Sequence, residues 1–171
     1  EEFVAPASTA GCAPVASSVV VAVRARPLGS QDGVGALRVS PTSVTLSPNK
    51  SEHIFHFDYA YDGEVGQAQI YRDLGAPILR KALQGFNATI FAYGQTGSGK
   101  SHTMMGSDTD LGIIPRMSEE LFFCVDRALE EAPEKKFLLT CSYLEIYNEM
   151  LQDLLVPSSG LTSKKGPPKE A

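Results

Sequence analysis

The stretch Ala88-Thr89-Ile90-Phe91-Ala92-Tyr93-Gly94-Gln95-Thr96-Gly97-Ser98-Gly99-Lys100-Ser101 decides the fold. Its first part, 88–93, is a short apolar run of the kind that fills a strand buried on both faces of a sheet. Residues 94–101 then match G-x-x-x-x-G-K-[ST] at every defined position. Glycines let the backbone turn tightly enough to aim several N–H groups at phosphate oxygens, and a helix that follows adds the partial positive charge of its N-terminus. Lys100 supplies a full charge to the β- and γ-phosphates. Ser101, in the first helical turn, is placed to ligate Mg²⁺ through its hydroxyl. A strand before the loop and a helix after it separate this motif from a chance match in a Gly/Ser-rich surface loop. The sequence therefore predicts an α/β nucleotide-binding fold.

Working outward, Val19-Val20-Val21-Ala22-Val23 reads as a second strand buried on both faces, ended at Arg24-Ala25-Arg26-Pro27 by the proline. Leu37 to Val39 and Val44 to Leu46 read as a hairpin across Ser40-Pro41-Thr42-Ser43, and Ile54-Phe55-His56-Phe57 as a further strand closed by Asp58. His53 and His56 are taken as structural. Residues 67–83 carry apolar side chains at helical spacing, with Pro77 set to kink or divide the helix and Gly85 to end it. Another helix is expected from Pro115 to Pro133, with Met117, Leu121, Val125, Ala128 and Leu129 in phase, and a long strand over 137–147. Tyr143 and Tyr147 are expected to pack in the core and at the strand end. The small-residue segment 1–17 reads as a disordered leader and 157–171 as a disordered tail, leaving 18–156 as the folded part.

With 171 residues and 43% apolar content, the chain has enough material for a sizeable core. The net charge of −5 argues against nucleic acid as a partner, because polyanion binding relies on clustered Lys and Arg. Lys135-Lys136 lies beside glutamates and Lys164-Lys165 in the tail, and neither makes such a patch. No apolar run approaches the roughly 18 residues of a membrane span, and the start lacks a secretory pattern. Cys12, Cys124 and Cys141 are odd in number and widely spaced, as expected of free thiols in the reducing cytoplasm. Because Glu1 is not an initiating residue, a processed chain or a fragment is expected.

The wider stretch Phe86-Asn87 through Ser101 to His102-Thr103-Met104-Met105-Gly106 resembles the phosphate-loop signature of the kinesin motor domain. Other blocks agree with it in the family's order. Val21-Ala22-Val23-Arg24-Ala25-Arg26-Pro27 is similar to the first strand and its R-x-R-P motif, and Phe57-Asp58 to the segment before the first long helix. Gly112-Ile113-Ile114-Pro115-Arg116, Ser142-Tyr143-Leu144-Glu145-Ile146-Tyr147-Asn148-Glu149 and Asp153-Leu154-Leu155 follow in turn. The resemblance runs over 18–156. Met104-Met105-Gly106 weakly resembles the transport-type class, kinesin-3.

The resemblance implies a P-loop NTPase-type fold, a central mixed sheet flanked by helices, present here in incomplete form. It implies ATP and Mg²⁺ as cofactors, with Gly94, Gln95, Thr96, Gly97, Ser98, Gly99, Lys100 and Ser101 as the phosphate cradle and Ser101 as the metal ligand. Arg24, Arg26 and Pro27 are assigned to the adenine pocket, with His102 stacking on the base from the other side. Flat guanidinium and imidazole faces suit a purine. On the residues alone, the alternative for Arg24 and Arg26 is a pair of solvated arginines at a strand end. Gly106 to Gly112 corresponds to the family's loop near the nucleotide, or else to a plain surface loop.

The complete parent implied by the resemblance is a cytoplasmic, cytoskeletal motor whose partner is the microtubule. Two of the family's γ-phosphate sensors, N-x-x-S-S-R and D-L-A-G-S-E, do not occur in the sequence, and Asp32-Gly33-Val34-Gly35 is taken as an accidental D-x-x-G. Without them nothing orders the attacking water or anchors the metal's second shell, so slow or absent turnover is expected, with no complete catalytic set. The loss of the neighbouring strand is also expected to leave 88–93 with an unpaired edge. The alternative is a short product that binds nucleotide or a motor partner without hydrolysis.

Overall fold

The computed structural model describes residues 19–27, 37–48 and 51–156; the expected leader and tail and Asp32-Gly35 lie outside them. The chain divides into two compact units, 1–123 and 124–171. Parallel and antiparallel pairings are both present, divided among three small sheets.

In the first unit, β1 (Ala22–Arg24) pairs in parallel with β5 (Tyr59–Tyr61), Val23 opposite Ala60. Asp58 fixes the start of this pairing: its carboxylate accepts the Val21 N–H at 2.8 Å and its own N–H donates to the Val21 carbonyl at 3.0 Å. The expected hairpin is present as β2 (Leu37–Ser40) and β3 (Ser43–Leu46), and β4 (His53–His56) completes an antiparallel sheet, Val44 opposite Phe55. Val44 is the buried side chain of that sheet. His53 and His56 lie exposed on β4.

The helical stretch is divided, as Pro77 requires, but the break falls one turn earlier. α1 (Gln67–Ile70) passes into a π-helical turn, Tyr71–Gly75, and α2 (Ala76–Leu83) follows with Pro77 in its first turn. Pro77 has no N–H to return to the carbonyl four residues back, and a proline in the first turn of a new helix leaves no such bond missing. Tyr61, Ile70, Tyr71, Ala76 and Ile113 form the core, with Leu74, Ile90, Met104 and Met117 packed against it. α3 (Lys100–Met104) and α4 (Ile113–Glu131) follow in the chain, and α4 carries its buried end, Ile113, into this core. The Tyr71 hydroxyl donates to Glu120 at 2.5 Å, tying the π turn to α4.

Four expectations are corrected. The valine run does not form a strand buried on both faces: Val19, Val20 and Val21 are exposed and β1 has one neighbour, which covers a single edge. Residues 88–93 form no ladder at all, and Phe91 and Tyr93 are 88% and 101% exposed. Apolar composition states that a segment gains by burial but supplies neither the neighbouring donors nor the acceptors of a sheet. The third correction lies in the second unit. There the strand expected over 137–147 shrinks to β6 (Leu144–Tyr147), paired with β7 (Met150–Asp153) in a hairpin closed at Asn148 and Glu149, whose φ values are 49° and 61°. Positive φ at both central residues matches the right-handed twist of the flanking strands. Finally, Tyr143 and Tyr147 are not core residues; both are more than half exposed. No helix among the described residues is long and apolar enough to cross a membrane.

Candidate nucleotide site

The loop 94–101 is shaped by positive φ at three glycines, Gly94 (153°), Gly97 (80°) and Gly99 (101°). A Cβ at Gly97 or Gly99 would meet no other atom within 4 Å, so there it is the backbone conformation, rather than crowding, that calls for glycine, whereas at Gly94 a Cβ would also lie 2.5 Å from Ser98 Oγ. Gly99 also caps α3. With only five residues, that helix carries little of the dipole the sequence suggested, and the positive charge of the cradle rests on Lys100. The Lys100 ammonium donates to the carbonyls of Gly94 and Gln95 at 2.8 and 2.9 Å.

Thr96, Gly97, Gly99, Lys100, Ser101 and His102 line one cleft of about 320 Å³. Ser101 and His102 are exposed. The described residues contain no cluster of three or more His, Cys, Asp or Glu able to hold a metal. A cation here would therefore take the Ser101 hydroxyl together with phosphate oxygens and water, a donor set that suits Mg²⁺.

The arginines after β1 separate. Arg26, exposed at the surface, donates to the Gly97 carbonyl at 3.0 Å and so ties the end of β1 to the phosphate loop. Pro27 is exposed beside it and lies against Gly63, where an added Cβ would come within 2.6 Å of the Pro27 Cα. Arg24 points inward: its guanidinium donates to Gln67 Oε1 at 2.8 Å, to Thr103 Oγ1 at 2.9 Å and to the Val65 carbonyl at 3.2 Å. Burial lowers its pKa from the ordinary arginine value, and the carboxylate of Asp110 opposes that shift.

Asp110 belongs to the loop after α3. Gly106 and Leu111 bridge its ends, the Ser107 and Asp110 backbones bond each other, and Arg116 donates to the Leu111 carbonyl at 2.7 Å and to Asp110 at 3.2 Å. A Cβ at Gly106 would lie 2.3 Å from the Asp110 carbonyl oxygen, so this loop closes only on glycine.

Sequence reasoning passed over Gln67 and Thr103. Gln67, at 1% exposure the one buried polar residue among those described, joins Arg24 to the backbone of His102. Its signal was present: Gln67 stands one helical turn before Ile70, on the apolar face, where a polar side chain must find partners.

The profile of the kinesin motor domain matches residues 29–169. Kinesin-like protein KIN-7I of rice is 47% identical over 138 residues, covering 80% of this chain and 11% of its own length. Human centromere-associated protein E is 41% identical over 143 residues, covering 81% of this chain and 5% of its own. The chain thus spans about a tenth or less of these curated relatives. Among solved structures, KIF14 with ADP in complex with a microtubule superimposes with a TM-score of 0.69 at 32% identity, covering 87% of this chain and 44% of that one. The KIF14 dimer with AMP-PNP on a microtubule gives 0.70 at 32% identity, with 89% and 43% covered. With the profile matching most of its length and the phosphate loop, β1 and the loop after α3 in the family's order, this chain belongs to the kinesin motor domain family.

Proposed function

We propose that the cleft at 94–102 binds a purine nucleoside triphosphate with Mg²⁺, and that the protein to which this domain belongs is a microtubule motor driven by ATP. One observation carries the binding: an ammonium and left-handed loop glycines converge on one open cleft, with the Ser101 hydroxyl and the His102 ring on its wall. Lys100 exchanges its loop carbonyls for β- and γ-phosphate oxygens, and the loop N–H groups take the remaining phosphate charge. Mg²⁺ neutralises charge that gathers between the terminal phosphates when it is bound. His102 and Arg26, with Pro27, offer flat or apolar faces to the base, while Arg24 acts from behind the site.

The support for the motor reading is family membership together with the microtubule complexes of the KIF14 structures. The 171 residues contain neither N-x-x-S-S-R nor D-L-A-G-S-E, so this chain by itself holds nucleotide without turning it over at a useful rate. Titration of the chain with Mg·AMP-PNP tests the binding. Lys100→Ala removes a charge-assisted contact of about 1.5–3 kcal/mol, an expected loss of roughly tenfold to a hundredfold in affinity. Equal affinity of the variant would refute the site, and microtubule-stimulated phosphate release by the 171-residue chain would refute the account of its turnover.

A further inference from the structure

Gln67 is almost fully buried, and its amide is engaged by inward-pointing Arg24 at one end and at the other by His102, which lines the cleft. Arg24 has only donors to offer, so the amide atom 2.8 Å from its NH1 must be the oxygen. That fixes the orientation of the amide and turns its NH₂ toward His102. The NH₂ donates to the His102 carbonyl and stands 3.5 Å from the ring atom Nδ1. The amide thus holds the His102 backbone directly and stands beside its ring. On its other side the imidazole is exposed and lines the cleft with Lys100 and Ser101. Thr103 completes the arrangement, since its hydroxyl accepts from the same Arg24 nitrogen that holds Gln67.

We infer that Gln67 is a positioning residue: oriented by Arg24, it sets the position of the His102 ring and so favours ligands that carry a base over bare polyphosphate. The inference rests on the reading of the cleft as a nucleoside triphosphate site. Gln67 touches no part of the phosphate cradle among its hydrogen bonds, which run to Arg24 and His102. Its removal therefore acts on base recognition and leaves phosphate binding in place.

The test compares Mg·ATP with magnesium tripolyphosphate on the full 171-residue chain. Gln67→Met, of similar volume, is expected to weaken ATP about tenfold, the scale of one lost hydrogen bond, and to leave tripolyphosphate unchanged. In a His102→Leu background the same substitution is expected to have no further effect on the ratio of the two affinities. Gln67→Leu supplies the same comparison where the Met variant does not fold. Equal weakening of both ligands, or an ATP effect that persists without His102, would overturn the inference. Full binding of both ligands by Lys100→Ala would instead overturn the nucleotide reading beneath it.

Discussion

Gly75 closes the π turn with its Cα facing the ring of Tyr71, and replacing it by alanine sets two effects of opposite sign against each other. In a helix interior, Gly→Ala is ordinarily stabilising by about 0.5–1 kcal/mol, because glycine loses more backbone freedom on folding. Here a Cβ would stand 2.5 Å from Tyr71 Cδ2 and 2.7 Å from Cε2, with Ile113 Cγ2 at 3.5 Å. The ring has little room to yield: Tyr71 is 8% exposed and its hydroxyl is held by Glu120 on α4. Overpacking of such a site costs about 1–3 kcal/mol, so the clash wins and Gly75→Ala destabilises by about 1–2 kcal/mol. Equilibrium urea unfolding measures this as a lower midpoint at constant slope. Tyr71→Leu removes the obstructing ring edge. In that background Gly75→Ala is expected to be neutral or stabilising, a coupling of at least about 1 kcal/mol between the two sites. A single Gly75→Ala variant more stable than the parent, or an equal loss in both backgrounds, would refute the assignment of Gly75 to close packing against the ring.

Two further outcomes follow from the loop and from the β5 tyrosine. Gly97→Ala places a side chain in open space but in left-handed backbone, a strain of roughly 1–2 kcal/mol that lowers Mg·AMP-PNP affinity by about fivefold to thirtyfold; an unchanged affinity in titration calorimetry would show that the loop is not held in this shape when it binds. Burial, aided by the Asp73 carboxylate that accepts its hydroxyl at 3.2 Å, raises the Tyr61 pKa well above the ordinary phenol value. The folded pKa lies above the unfolded one, so this contribution to stability is complete below about pH 10 and is lost as pH rises beyond it. Urea midpoints between pH 8 and 11 are expected to fall less steeply for Tyr61→Phe than for the parent, and parallel curves would contradict the shift.

The turn at 94–101 was legible because its signal is local: glycines at positive φ, a lysine and a hydroxyl follow one another in sequence and need no distant partner to be recognised. The hairpin 37–46 was legible for the same reason, with Pro41 and Thr42 turning between two short paired strands. The failures concern relations between segments. Residues 88–93 look like an interior strand, but pairing depends on neighbours that an apolar run does not specify. The hairpin at 144–153 turns on Asn148 and Glu149, and glutamate at positive φ gives no turn signal. The motif offers Arg24 to the adenine pocket and is silent on what else holds its guanidinium. Its inward hydrogen bonds depend on Gln67 and Thr103, 43 and 79 positions away along the chain, which no local pattern connects.

On the proposed nucleotide reading, the Lys100 ammonium, seated on the carbonyls of Gly94 and Gln95, would make ligand entry an exchange rather than an addition. An incoming phosphate competes with two oxygens already supplied by the loop, so the measured affinity is a difference between rival acceptors. The same carbonyls stand ready when the anion departs. Those carbonyls also satisfy the ammonium within the loop, so that the lysine is kept in place instead of being drawn to a carboxylate elsewhere on an acidic surface.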